Sequence, residues 1–198
     1  MRRSSGSFKT RIIIGLAMAA VAYFSYLGKT QDNLLTGESQ RVAMSPQQEM
    51  AMGLHSAPRM AQDYGGFYPD EEVQAQVRTV GKKMVNVLNR HLQAEGVQNP
   101  YRFDFHVLRD NKTVNAFALP GGQIFITAAL LGRLKSEDQL AGILGHEIGH
   151  VIHRHSSQQM ATTEIYQGLA GAATAAGGDM GGAQICLLYT LEASDDYP

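Results

Sequence analysis

The chain has 198 residues, 44% of them hydrophobic and 18% charged, with a formal net charge of -1. Those proportions exclude an intrinsically disordered chain, and the charge balance excludes a basic surface built for nucleic acid. A single cysteine, Cys186, excludes an intramolecular disulfide framework and a four-thiolate zinc site. The seven histidines are then the metal-ligand candidates, and four of them, His146, His150, His153 and His155, fall within ten residues.

Residues 12–28 carry no charge and follow Arg2, Arg3, Lys9 and Arg11. Seventeen helical residues at 1.5 Å each reach about 25 Å, so the run reads as a marginal membrane span or a signal segment. The basic flank stays cytoplasmic by the positive-inside rule, which puts everything after Lys29 outside the cytoplasm. Tyr23, Phe24 and Tyr26 carry the apolar run past Ala20-Val21-Ala22, the tripeptide that could mimic a cleavage site. Residues 1–29 are therefore expected to be an uncleaved anchor, with signal cleavage and release to the periplasm as the alternative. The exported remainder holds 12 Lys plus Arg against 18 Asp plus Glu, a net charge of -6.

Residues 30–45 are polar and turn-prone and read as a linker. Ser45-Pro46 has the form of an N-cap with proline at the first helical position, which predicts a short helix over 46–55. Tyr64 to Pro69 breaks the pattern. From Asp70, apolar residues recur at Val73, Val77, Val80, Met84, Val87, Leu88 and Leu92, one buried helical stripe, with acidic residues in the first turn to suit the helix dipole. Phe103, Phe105 and Val107 alternate with Asp104, His106 and Leu108 as a half-buried strand, and His106 reads as a surface or hydrogen-bonded histidine rather than a ligand. Val114–Leu119 and Gln123–Thr127, joined through Pro120-Gly121-Gly122, read as strand, turn and strand. Ala128–Leu134 predicts a short helix, and Ser136 with Gln139 forms a capping-box pattern at the start of another.

That last helix carries His146-Glu147-Ile148-Gly149-His150. Residues four apart share a helix face, so both imidazoles can reach one ion at Zn–N distances of about 2.0–2.1 Å. Glu147, one residue round from His146, can address the open position of that ion and act as general base on a water there. Leu140, Ile143, Leu144, Ile148, Val151 and Ile152 supply the apolar face that buries the helix. His153 lies three residues beyond His150 and reads as beside the metal site or in solvent. His155, next to Arg154, reads as a cation favoured by the C-terminal end of the helix dipole.

The segment His146 to His155, HEIGHVIHRH, together with Asn115 to Gly122, NAFALPGG, resembles metallopeptidase family forty-eight, the family of the CAAX prenyl endopeptidases and HtpX-type proteases. The resemblance covers roughly residues 35–185 and is nearest to exported bacterial members. It implies an α+β fold of zincin-like (gluzincin) type, with a small antiparallel or mixed sheet packed on the active-site helix after an N-terminal membrane helix. It implies one zinc ion held by His146 and His150, with Glu147 as general base. Asn115, Ala116 and Phe117 would lie on the strand along which an extended substrate pairs by backbone addition. The implied partners are protein or peptide substrates and the membrane, in periplasmic or extracellular turnover of misfolded or misassembled envelope proteins.

In this family the third zinc ligand is the Glu of a later Glu-x-x-x-Asp motif. Glu192 and Asp196 carry that spacing, but the segment around them, with Pro198 two residues past Asp196, offers no helix to present a ligand. Residues 168–183, of which 12 are Gly or Ala, are expected to form a loosely packed helical hairpin or flexible loop. The domain organisation expected is thus an anchor over 1–29, a linker over 30–45, a partial metallopeptidase domain over 46–185 and a tail foreign to the family over 186–198. A catalytically incomplete zinc-binding envelope chaperone or scaffold is the alternative function, and Glu147 discriminates against it, since a scaffold needs no base beside its metal.

Overall fold

The computed structural model describes residues 8–177. Two compact units divide them, one of 8–31, 40–43 and 158–177, the other of 32–39 and 44–157.

The second unit holds the candidate site. It contains α2 (Pro46–Asp63), α3 (Glu71–Ala94), β3 (Asp104–Leu108), β4 (Ala116–Leu119), β5 (Gln123–Thr127), α4 (Ala128–Leu131) and α5 (Glu137–Ile152). The three strands form one sheet in the order β3-β5-β4. β5 runs parallel to β3, with Phe105 opposite Ile124, and antiparallel to β4, with Phe117 opposite Phe125. The central strand, QIFIT, is buried at every position, as a strand covered on both faces must be.

Period-two alternation sends the strand side chains to two different cores. Phe105, Val107, Ile124 and Ile126 join Val77 and Val80 of α3 and Leu140, Leu144 and Ile148 of α5. Leu108 and Phe125 face the other way and join Ala57 and Ala61 of α2. The apolar stripe expected on α3 and the apolar face expected on α5 therefore meet on one side of the sheet. Gly81 of α3 permits that approach, because a Cβ there would come within 2.5 Å of the Phe105 ring.

Local chemistry sets the helix ends. Ser45 caps α2 with a complete capping box: its hydroxyl accepts from Gln48 N, and the Gln48 side chain accepts from Ser45 N. The helix runs to Asp63 rather than stopping near residue 55, with Pro58 in its interior. Proline removes one backbone donor there, and the buried Ala57 and Ala61 keep the helix seated on Phe125 and Leu108. Asp70 caps α3 by accepting from Glu72 N and Val73 N. Ser136 caps α5 by accepting from Gln139 N at 3.3 Å, while the Gln139 side chain reaches one residue beyond the expected box and accepts from Lys135 N at 2.7 Å. The Pro-Gly-Gly connection between β4 and β5 needs its glycines: Gly121 has φ +81° and Gly122 +110°, and a Cβ on Gly122 would lie 2.7 Å from the Arg102 carbonyl oxygen.

The other unit contains α1 (Phe8–Leu27) and most of α6 (His155–Gly177); β1 (Thr30–Asp32) and β2 (Ser39–Arg41) form a two-stranded sheet. By length and composition α1, 20 residues with a mean hydropathy of 1.6 over its most apolar 18, is long and apolar enough to cross a membrane. Its apolar side chains are exposed along its length, among them Ile13, Leu16, Val21 and Phe24, and Gly15 is its one buried residue. Small residues set its approach to α6: a Cβ on Gly15 would lie 2.7 Å from the Ala172 carbonyl oxygen, and one on Gly168 2.6 Å from the Ala22 Cβ. Lys29, two residues past the end of α1, forms an ion pair with Glu164 of α6. α6 runs through residues 168–177, the first part of the Gly- and Ala-rich segment expected as a helical hairpin or loop, and 178–183 lie outside the described residues. The proposed tail over 186–198 lies outside the described residues.

Candidate active site

α5 presents the three residues of the His-Glu-x-x-His motif together. Its apolar stripe, Leu140, Leu144, Ile148 and Val151, is buried, so positions 146 and 150 fall on the less covered side. The His146 and His150 Nε2 atoms lie 3.0 Å apart with the rings nearly perpendicular at 85°. One donor atom from each of His146, Glu147 and His150 lies within 4.8 Å of the others. Two zinc-bound nitrogens at about 2.0–2.1 Å with a tetrahedral angle between them would be about 3.3 Å apart. The observed separation is close to that value, so the pair fits a small dication such as zinc, with two neutral imidazoles as donors.

Glu147 is 7% exposed. Burial pushes its carboxyl above the ordinary glutamate range, and the two neighbouring histidines and the Ala118 backbone N–H, which donates to it, act in the opposite sense. That contact joins α5 to β4. Asn115 already turns both backbone groups toward β5: its N–H donates to Thr127 Oγ1 at 3.2 Å, and its carbonyl accepts from Thr127 N at 3.0 Å. By the alternation of an antiparallel strand, Phe117 and Leu119 also face β5, and Ala116 and Ala118 turn their backbone groups to the outer edge. Glu147 takes the Ala118 donor on that edge.

An open cleft of about 350 Å³ lies beside the motif, lined by Val114, Asn115, Ala116, Leu130, Ile143, His146 and Glu147 among others. Two of the three residues expected along the substrate strand, Asn115 and Ala116, thus face the same space as His146 and Glu147. The Phe117 side chain goes to the opposite face, where it stacks on Phe125 at 5.2 Å and meets Tyr64 at 5.2 Å.

The remaining histidines separate. His106 stacks on Phe125 at 5.0 Å and shares a 2.9 Å hydrogen bond with the Gln123 side chain, a hydrogen-bonded histidine on the far face as expected. His153 lies 3.6 Å from a Glu38 carboxylate oxygen. His155 differs from its expected place. It opens α6 instead of closing α5, because Arg154 takes φ +58° and turns the chain. Its Nδ1 comes 2.7 Å from the Nδ1 of His150. Desolvation, then the His150 and His153 rings, push its pKa below the ordinary value, the opposite direction from the expected helix-end cation.

Sequence reasoning missed a buried polar cluster behind the motif. Arg154 and Glu49, 4% and 2% exposed in their side chains, form an ion pair at 3.0 Å. The Tyr101 hydroxyl donates to the second Glu49 oxygen at 2.7 Å, and Arg154 donates to the Met44 carbonyl. Burial and the Glu49 carboxylate hold the Tyr101 phenol far above its usual range. Glu49 and Arg154 are 105 residues apart, and no local pattern marks either. Glu192 and Asp196, the residues with third-ligand spacing, lie outside the described residues.

A family model described as peptidase family M48 matches residues 71–193, more than half of the chain and including the whole motif. The chain belongs to peptidase family M48. By family it is a metalloprotease. Among curated relatives, the mitochondrial metalloendopeptidase OMA1 of Schizosaccharomyces pombe is 42% identical over 77 residues, 39% of this chain and 22% of that protein. The beta-barrel assembly-enhancing protease of Yersinia pestis is 33% identical over 124 residues, 63% of this chain and 24% of that protein. The protein of the same name in Escherichia coli K12 is 31% identical over 124 residues, 63% of this chain and 23% of that protein. The chain spans less than a quarter of the length of these M48 relatives.

Proposed function

We propose that this chain carries the catalytic core of a zinc-dependent metalloendopeptidase of zincin-like (gluzincin) fold, anchored by α1 and facing the periplasm or cell exterior. Its proposed substrates are misfolded or misassembled envelope proteins. The observation that carries the proposal is the convergence of His146 Nε2 and His150 Nε2 at 3.0 Å with Glu147 beside them and buried. His146 and His150 would hold the ion through Nε2. Zinc bound there would supply Lewis acidity and lower the pKa of a water to about 7.

The chain's own residues supply the rest. Glu147 accepts a proton from the attacking water and returns it to the leaving amine, a role that its burial and its place beside the cleft suit. The outer edge of β4 orients an extended peptide by backbone pairing at Ala116, with Asn115 and Ala116 lining the space it enters. Phe117 supports the strand from behind through Phe125. The anchoring rests on α1 and on the basic residues Arg2, Arg3, Lys9 and Arg11 at its cytoplasmic end. The substrate class rests on the relatives named as beta-barrel assembly-enhancing proteases.

Casein digestion by the zinc-loaded protein tests the proposal. Glu147→Gln should lower the rate about 10²–10⁴-fold while the protein keeps its zinc. Digestion unchanged by Glu147→Gln would remove that residue from the chemistry.

A further inference from the structure

We infer that His155 is a positioning residue for the metal site, held against His150 by the buried Glu49–Arg154 pair. The inference rests on the reading of His146 and His150 as ligands of one ion. For both rings to offer Nε2 to that ion, the proton on His150 must sit on Nδ1. That N–H then needs an acceptor, and the atom 2.7 Å from it is His155 Nδ1. His155 accepts there with its own proton on Nε2, fixing both the tautomer and the tilt of the His150 ring, the service that outer hydrogen-bond partners perform for metal-bound histidines.

What puts His155 there is the turn at Arg154. Its φ of +58° lies in the left-handed region, where glycine is the usual occupant. Arginine is there instead, and its side chain is engaged with Glu49 at 3.0 Å and with the Met44 carbonyl. The same turn is closed by Ser157 N donating to the Arg154 carbonyl at 3.0 Å, and Ser157 Oγ accepts from Met44 N at 3.2 Å. The chain entering α2 and the chain leaving α5 are thereby tied at one point. The Tyr101 hydroxyl completes the cluster on the second Glu49 oxygen. In this arrangement a residue of α2 sets the position of a ring that touches a metal ligand, without approaching the ligand itself.

The test is zinc affinity of the full chain, measured by chelator competition, together with the visible spectrum of the cobalt-loaded protein. His155→Phe, which keeps a ring and removes the acceptor, should weaken zinc binding about 10–100-fold and shift the cobalt bands. His155→Asn, which restores an acceptor oxygen, should recover part of both. Glu49→Gln should weaken binding in the same direction, and the Glu49→Gln, His155→Phe double variant should be no weaker than His155→Phe alone, because both act through one ring. Should Glu49→Gln fail to fold, Arg154→Gly carries the same expectation, since it relieves the backbone while removing the pair. His91→Gln, at an exposed ring outside this site, should leave zinc binding unchanged. Unchanged affinity and unchanged cobalt bands in His155→Phe, with binding still lost in His146→Ala, would overturn the inference and leave the ligand reading standing. Binding that survives His146→Ala would overturn both.

Discussion

α1 and α5 are both apolar helices, of 20 and 16 residues, and the distribution of their apolar residues separates them. In α1 the apolar side chains run all the way round, and Gly15 alone is buried. In α5 they recur every three or four residues, and the stripe they form is covered by the sheet and by α3. Among the described residues little covers α1, and a helix apolar on every side is, by length and composition, one that could cross a membrane. A helix apolar on one side only is fixed in rotation, and its remaining positions become addressable. His146, Glu147 and His150 use that fixed rotation: a half-turn of α5 about its axis would put both imidazoles on the covered side that Leu144 and Ile148 now fill.

The contrast can be broken by paired substitutions. Leu144 is fully buried in the α5 stripe, and Leu144→Ala should cost about 2–5 kcal/mol, read as a lowered midpoint of thermal unfolding. Val21 is 70% exposed near the middle of the apolar run of α1, and Val21→Asp should leave that transition in place while moving the chain out of the membrane fraction, since an aspartate near the bilayer centre costs about 2.5–3.5 kcal/mol. Unfolding caused by Val21→Asp, or membrane release caused by Leu144→Ala, would erase the distinction between the two helices. A smaller effect sharpens it. Ser136→Ala removes the side chain that accepts from Gln139 N at the start of α5 and should cost about 1 kcal/mol by the same thermal measurement.

Much of the scaffold is legible in the sequence because its determinants are local. The stripe from Val73 to Leu92, the alternation around Phe105, the Pro-Gly-Gly turn and the Ser136 cap each act over a few residues, and each reappears in the structure near its expected place. The motif on α5 is legible for the same reason, since one helical turn is enough to bring His146 and His150 together. What escapes is whatever depends on distant chain. α2 outlasts its expected end at residue 55 because Ala57 and Ala61 find Phe125 and Leu108, not because its own residues favour more helix. The Glu49–Arg154 pair joins positions 105 residues apart. Its consequence, the left-handed turn at Arg154, carries no glycine to announce it. The dipole argument that puts His155 at the end of α5 holds only if the helix continues in register, and the turn places it at the start of α6 instead. Phe117 shows a milder form: the strand is legible, and which of its faces meets the cleft is settled by the sheet.

The central claim is that one turn of α5 gathers a metal site around a buried base. Zinc content and affinity of the full chain, measured side by side with His146→Ala, His150→Ala and Glu147→Gln, test it most directly. About one zinc per chain is expected, lost with either histidine and retained in Glu147→Gln; zinc that stays bound at the same affinity in either single histidine variant would contradict the claim.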